Sequence, residues 1–520
     1  MTTTVKAVLS TLLAAQGRTV RSGQAAAADF IDAGEAHVAA MCPTGVGKSA
    51  LAIATSVAAG GGVVAVNSNG LVAQYAAEKH EWEAALSIKV AVLVGKGHYH
   101  CPQASPTLAG LSDDAKSFVT ATGNFIGSGV DPLVYKTHSV LALDDIVEED
   151  EDGEETRKSP CDDCSYKNGG CPLWAARNAA RNADVVITNA SMLGVSLGGG
   201  PKWADSLDKP VIVLDEADSC AEPIAAVLGA QITLRDPKAA EGLDEALAVV
   251  REAASDEDLS GYKKARKFLA RLKTAKAEGR NIRYNIDGAK VVLTIPADLV
   301  AAFADKRVVA LSATLSQRNV DHLGLATQVA SFQGLDVSAS TVTVDDSAPA
   351  WAYGKANPAV HAKWAAHVAS VIADEFAKGG RTLGLFVSKD DLYAVINKLP
   401  ADVRSAVIEY HAGVDRTAAL AKYTAAPEKH LILGCNAGAG RGLNLPGDLL
   451  RRVIVSRVPA NCPKGADKKI WTEDSRAAVT QSVGRAHRHE SDFGHVTIVG
   501  GFNGRTDVRD ALVELGWVIS

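Results

Sequence analysis

Several things are scarce in this chain, and each scarcity removes a class of answer. No apolar run approaches the 18 or more residues that a membrane-spanning helix needs, so a helical membrane protein is not expected. The Thr-rich opening lacks the apolar core of a secretory signal. A cytoplasmic location follows as the expectation, with the eight cysteines reduced rather than paired. Positive charge is not in excess: the net charge is −6, so attraction to a polyanion would need a local basic track. Aromatics are 5% of the 520 residues beside abundant Ala and Gly, a composition that suits a bacterial or phage source. What is plentiful is apolar residues, 47% of the chain, enough for two large domains plus inserts.

The most informative stretch is Cys42-Pro-Thr-Gly-Val-Gly-Lys-Ser49. It lies between an apolar run, Val38 to Met41, and an Ala-rich helical pattern. A tight glycine loop between strand and helix leaves backbone N–H groups free to cradle phosphates. Thr44, Gly45, Val46, Gly47, Lys48 and Ser49 are the candidate nucleotide-binding residues. Lys48 would reach the β/γ-phosphates and Ser49 would ligate Mg²⁺. The frame usually opens with Gly and here opens with Cys42, another small residue.

Hydrolysis needs acids as well. The run Val211-Ile-Val-Leu214 ends in Asp215-Glu-Ala-Asp218, a buried parallel strand delivering carboxylates at its C-terminal end. Asp215 is the candidate Mg²⁺ ligand, and Glu216 the group that polarises an attacking water. Further on, Gln481-Ser-Val-Gly-Arg-Ala-His-Arg488 places Gln481, Arg485 and Arg488 on one face of a helix at i, i+4 and i+7. Such guanidiniums neutralise transition-state charge on a γ-phosphate. Gly484 inside that helix costs about 1 kcal/mol and calls for a packing reason.

Cys42, Cys220, Cys435 and Cys462 are scattered, but Cys161, Cys164 and Cys171 form a C-x2-C-x6-C triplet with Cys101 as distant fourth partner. Four thiolates suit either zinc or an iron–sulfur cluster, and spacing does not separate them.

Together with Ser312-Ala-Thr-Leu315, these motifs resemble superfamily 2 helicases, and Arg18-Thr-Val-Arg-Ser-Gly-Gln24 resembles the element in which a glutamine, here Gln24, contacts adenine. Val92 to Cys101 and Ala183 to Leu193 resemble segments of the DinG/XPD iron–sulfur helicases. Departures are Asn189-Ala190 for the usual Asn-His, and Gly440-Arg-Gly-Leu-Asn444, which lacks the usual Trp, Glu and Asp. The resemblance implies an α/β fold of two RecA-like parallel-sheet motor domains with an iron–sulfur insert and a small helical arch-like insert. It implies ATP, Mg²⁺ and a 4Fe–4S cluster on Cys101, Cys161, Cys164 and Cys171, with zinc as the alternative.

The implied activity is ATP-dependent unwinding, 5′-to-3′ on single-stranded or forked DNA, by a monomer. The alternatives are a zinc-containing DEAD-type RNA helicase and an ATP-gated nucleic-acid-binding subunit that does not unwind. The expected division is a first motor domain over 1–95, 176–225 and 301–340, a cluster insert over 96–175, an arch-like insert over 226–300, a linker over 341–358 and a second motor domain over 359–520. The acidic run Asp144 to Glu155 reads as a solvated loop. The helical stripe Lys263, Lys267 and Arg271 is a candidate DNA contact.

Overall fold

The computed structural model describes residues 3–105, 107, 116, 138–139, 146–149, 155–158, 161, 164–198, 202–255, 262–278, 282–287, 290–349, 357–411, 414, 416–425, 431–435, 445, 449–459, 462, 468–487 and 493–520. Arg488 and the segment 436–444, with the whole of the Gly440–Asn444 motif, lie outside them.

In chain order the first half carries strands β1 (His37–Met41), β2 (Gly62–Val66), β3 (Val90–Leu93), β4 (Ile146–Glu149), β5 (Glu155–Lys158), β6 (Val185–Asn189) and β7 (Val211–Asp215). Then come β8 (Ala230–Leu234), β9 (Arg283–Asp287), β10 (Lys290–Ile295), β11 (Arg307–Ser312) and β12 (Val329–Ser331). Seven of these form one parallel sheet in the order β12-β1-β11-β7-β2-β6-β3. Every residue of β2 and β7 is buried, because helices cover both faces and leave no polar side to alternate with.

That order places the chemistry. β1, β11 and β7 are neighbours, with Met41 opposite Ser312 and Leu311 opposite Asp215. The glycine loop, the Ser-Ala-Thr segment and the acidic segment therefore leave adjacent strands at one edge, where ligands of open α/β sheets bind.

The second lobe is a sheet of the same kind. Its strands are β13 (Thr341–Asp345), β14 (Thr382–Phe386), β15 (Val407–Tyr410), β16 (Leu431–Cys435), β17 (Arg452–Val455), β18 (His495–Val499) and β19 (Val518–Ile519). All pair in parallel, in the order β15-β16-β14-β17-β18-β13-β19. β13 corrects the expected boundary. Thr341-Val-Thr-Val344 alternates as a strand and pairs with β18 and β19, so the second lobe begins at 341 rather than 359.

The insert 226–300 is also corrected, from helical to mixed. β8, β10 and β9 form an antiparallel sheet in that order, and the helices Leu243–Ala253 and Tyr262–Ala277 pack on it around Ile232, Leu247, Phe268 and Leu293. The second helix buries Ala265, Phe268, Leu272 and Ala275 and exposes Lys264, Arg266, Lys267, Arg271, Lys273 and Lys276. The side chain of Lys263 lies outside the described residues. Within the acidic run expected as a loop, 146–149 pairs with 155–158 as the hairpin β4–β5. Among the described residues no helix is long and apolar enough to cross a membrane.

Candidate nucleotide cleft between the lobes

The glycine loop turns as the motif requires. Gly45 and Gly47 have φ of +82° and +86°, a region that side chains rarely adopt, and Gly47 caps the helix Lys48–Ala58. Cys42 shows why the usual opening glycine is dispensable. Its backbone is not left-handed, it is fully buried, and its N–H donates to Ser312 O at 2.8 Å. Burial pushes its thiol up to about 11, with Lys48 pulling the other way. It is an inert packing group.

Gln24 is buried on the helix Ser22–Ala33, and its Oε1 accepts the Arg21 N–H at 3.0 Å. A Cβ on Gly47 would stand 2.5 Å from Gln24 Nε2, so the amide abuts the phosphate loop directly. The Arg21 guanidinium donates to Gly45 O and clamps the same loop from outside.

A cleft of about 680 Å³ gathers these groups with those of the other motifs. It is lined by Gln24, Thr44, Gly45, Gly47, Lys48 and Ser49, by Asp215 and Glu216, and by Gln481 and Arg485 from the second lobe. Val46 instead sends its side chain into the core. Arg488 falls outside the described residues, so its expected partnership with Arg485 is not described.

The helix expected through Gln481, Arg485 and Arg488 ends at Val483, and Gly484–Ala486 is a 3-10 turn. The reason for Gly484 is steric: a Cβ there would collide with Thr44 Oγ1 of the glycine loop. The two lobes touch at that point, and Thr44 Oγ1 lies 3.5 Å from Gly484 O.

Behind the cleft the acids are knit to the Ser-Ala-Thr segment. Ser312 Oγ donates to Asp218 Oδ1 at 2.7 Å and lies 3.3 Å from Glu216 Oε2; Thr314 Oγ1 donates to Asp218 Oδ2 at 3.2 Å. Glu216 holds a φ of +56°, uncommon for a side-chain-bearing residue. Burial and the Glu216 charge raise Asp215 to about 6, with Lys48 opposing. A cation beside it would reverse that push.

Residues 375–501 match the sequence model of the helicase C-terminal domain family. No curated protein matches the chain. An XPD helicase structure superposes with a TM-score of 0.57 at 15% identity, covering 96% of this chain and 99% of that one. XPD in an apo form gives 0.52 at 13%, covering 93% and 97%, and S. tokodaii Xpd4 gives 0.51 at 13%, covering 96% and 100%. The fold is that of the XPD helicases.

Within this XPD-type fold the oxygen donors fit Mg²⁺. Ser49 supplies a hydroxyl and Asp215 a carboxylate, the hard ligands that ion takes. The four thiols are a different case. Cys101, Cys161, Cys164 and Cys171 are half-buried, and Cys161 and Cys171 pack against the core that holds Tyr99. Cys171 caps the helix Pro172–Arg181. Yet among the described residues no three Cys, His, Asp or Glu side chains converge into a group that could hold a metal. The donors suit a cluster in kind and number, but the geometry does not gather them.

Sequence reasoning missed Tyr75. It is 2% exposed on the helix Asn69–Leu86, and its hydroxyl donates to Asp215 Oδ2 at 2.7 Å. A lone Tyr in a helix reads as core, and nothing local marks it otherwise.

Proposed function

We propose that the chain is an ATP-dependent DNA helicase or translocase of the XPD/DinG type. The observation that carries this reading is the shared cleft: Lys48, Asp215 and Glu216 of the first lobe face Gln481 and Arg485 of the second. A protein that only bound nucleotide would not need a carboxylate and a guanidinium aimed at one phosphate from opposite walls.

In this cycle the loop N–H groups and Lys48 hold the β/γ-phosphates, and Gln24 reads the adenine. Glu216 orients water for in-line attack while Arg485, with Arg488, neutralises charge on the transferred group. Mg²⁺, held by Ser49 and Asp215, would supply charge neutralisation on the phosphate oxygens. Loss of the γ-phosphate removes what draws the lobes together, and the Thr44–Gly484 and Thr314–Gln481 contacts then part. A single strand crossing both lobes would advance with each closure. The family resemblance supports a 5′-to-3′ direction and action on single-stranded or forked DNA as a monomer, and their donor chemistry supports reading the four thiols as 4Fe–4S ligands. No step of the cycle depends on the cluster.

The test is ATP turnover with single-stranded DNA, single-stranded RNA or neither. Stimulation by DNA is expected, with Lys48→Ala lowering turnover by about 10² or more while DNA binding survives. Preferential stimulation by RNA would move the reading to an RNA helicase. Equal turnover in Lys48→Ala would remove the glycine loop from the mechanism.

A further inference from the structure

The phenol of Tyr75 lies where three elements of the first lobe meet. Asp215 ends β7, Ser49 lies in the first turn of the helix Lys48–Ala58, and Tyr75 comes from the helix Asn69–Leu86. Its hydroxyl donates to Asp215 Oδ2 at 2.7 Å, and it lines the same cleft as Ser49. The other Asp215 oxygen accepts the Glu216 N–H at 3.0 Å. Each oxygen of the carboxylate is thus held by one donor and keeps a further lone pair for a metal or its water. On the far side the ring is braced by Trp82, two turns along the same helix, with centroids 5.5 Å apart and planes at 65°. Trp82 is 1% exposed, so the phenol has little room to turn.

We propose that Tyr75 is the positioning residue of the magnesium site, fixing the Asp215 carboxylate so that its free lone pairs stay turned toward the cleft that Ser49 also lines. This rests on the nucleotide-hydrolysis reading above and adds a residue that none of its motifs contains. A neutral phenol is a poor Mg²⁺ ligand, so Tyr75 acts through the carboxylate it orients. Groups that orient metal ligands in this way typically change metal affinity by about 10–100-fold when removed. Burying a hydroxyl without a partner is unfavourable, and here the partner is the metal ligand itself.

The experiment is a Mn²⁺ titration followed by EPR, on the full chain with ADP bound, in wild type and Tyr75→Phe. The ring and its packing on Trp82 are kept; only the hydroxyl is removed. Mn²⁺ affinity is expected to fall about 10–100-fold, while ADP affinity in EDTA and the thermal midpoint stay near wild type. A second variant, Trp82→Phe, keeps the hydroxyl and loosens the ring, and should weaken Mn²⁺ in the same direction by less. Mn²⁺ affinity unchanged in both variants overturns the inference. So does a parallel fall in ADP affinity and thermal midpoint, which marks packing alone. Wild type that binds no Mn²⁺ with ADP sinks the hydrolysis reading instead.

Discussion

The side-chain amide of Gln481 stands 3.0 Å from the hydroxyl of Thr314, nitrogen to oxygen, across the boundary between the lobes. The same nitrogen lies 3.4 Å from Glu216 Oε2, and Thr314 donates its own proton to Asp218. One amide of the second lobe thus reports on the acids of the first. Groups in one network are coupled by about 0.5–3 kcal/mol. Gln481→Ala, Thr314→Ala and the double variant should therefore be non-additive in ATP kcat/KM. Strict additivity would show that this hydrogen bond carries no signal.

Gly484 and Thr44 make a second crossing whose sign is set by sterics. Gly484→Ala drives a methyl into Thr44 Oγ1 and should lower ATP turnover by spreading the lobes. Thr44→Ala removes that oxygen and leaves the neighbouring carbon at 3.4 Å, an ordinary van der Waals distance. The double variant should recover part of the turnover. If Thr44→Ala gives no relief, glycine is needed there for another reason.

Inside the second lobe, Arg457 is 4% exposed and donates Nη2 to Asp391 Oδ2 at 2.8 Å. Asp391 is 2% exposed, with His361 Nε2 at 3.1 Å from its other oxygen. Arg457→Leu leaves a buried carboxylate without its main counter-charge and should destabilise the protein by about 3–5 kcal/mol. Adding Asp391→Leu should restore much of it, measured by urea denaturation.

The helix Tyr262–Ala277 carries lysines and arginines and no carboxylate, in a chain of net charge −6. Such a face suits binding to phosphates. Lys264→Gln with Lys267→Gln should weaken single-stranded DNA binding evenly across sequences, and should lower the salt slope by about 1 for each lysine that neutralises a phosphate. An unchanged slope returns the face to plain surface.

For the thiols, anaerobically purified protein should be brown with broad visible absorption, and Cys164→Ser should bleach it. A colourless wild type containing stoichiometric zinc would replace iron with zinc on the same four cysteines. Metal-free wild type would leave them as ordinary side chains, in keeping with their separation among the described residues.

Local motifs have local causes, and these were legible in the sequence. A left-handed turn needs Gly45 and Gly47, and acids at a strand end need an apolar run such as Val211–Leu214 before them. Both are written in consecutive residues. The helix through Gly484 is shorter than its periodicity implies, because the pattern continues past the point where packing on Thr44 ends it. β13 escaped sequence reasoning for a similar reason: five alternating residues become a strand by having β18 beside them.

The amino-acid order by itself determined that this protein has a glycine loop and an acid-bearing strand end, because each is encoded within a few adjacent positions. Only the tertiary structure decided that the two line one cleft, that Tyr75 joins Asp215, and that Gly484 rather than alanine meets Thr44. Those depend on distances between residues far apart in the chain, which strand order and packing set and no short window of sequence contains.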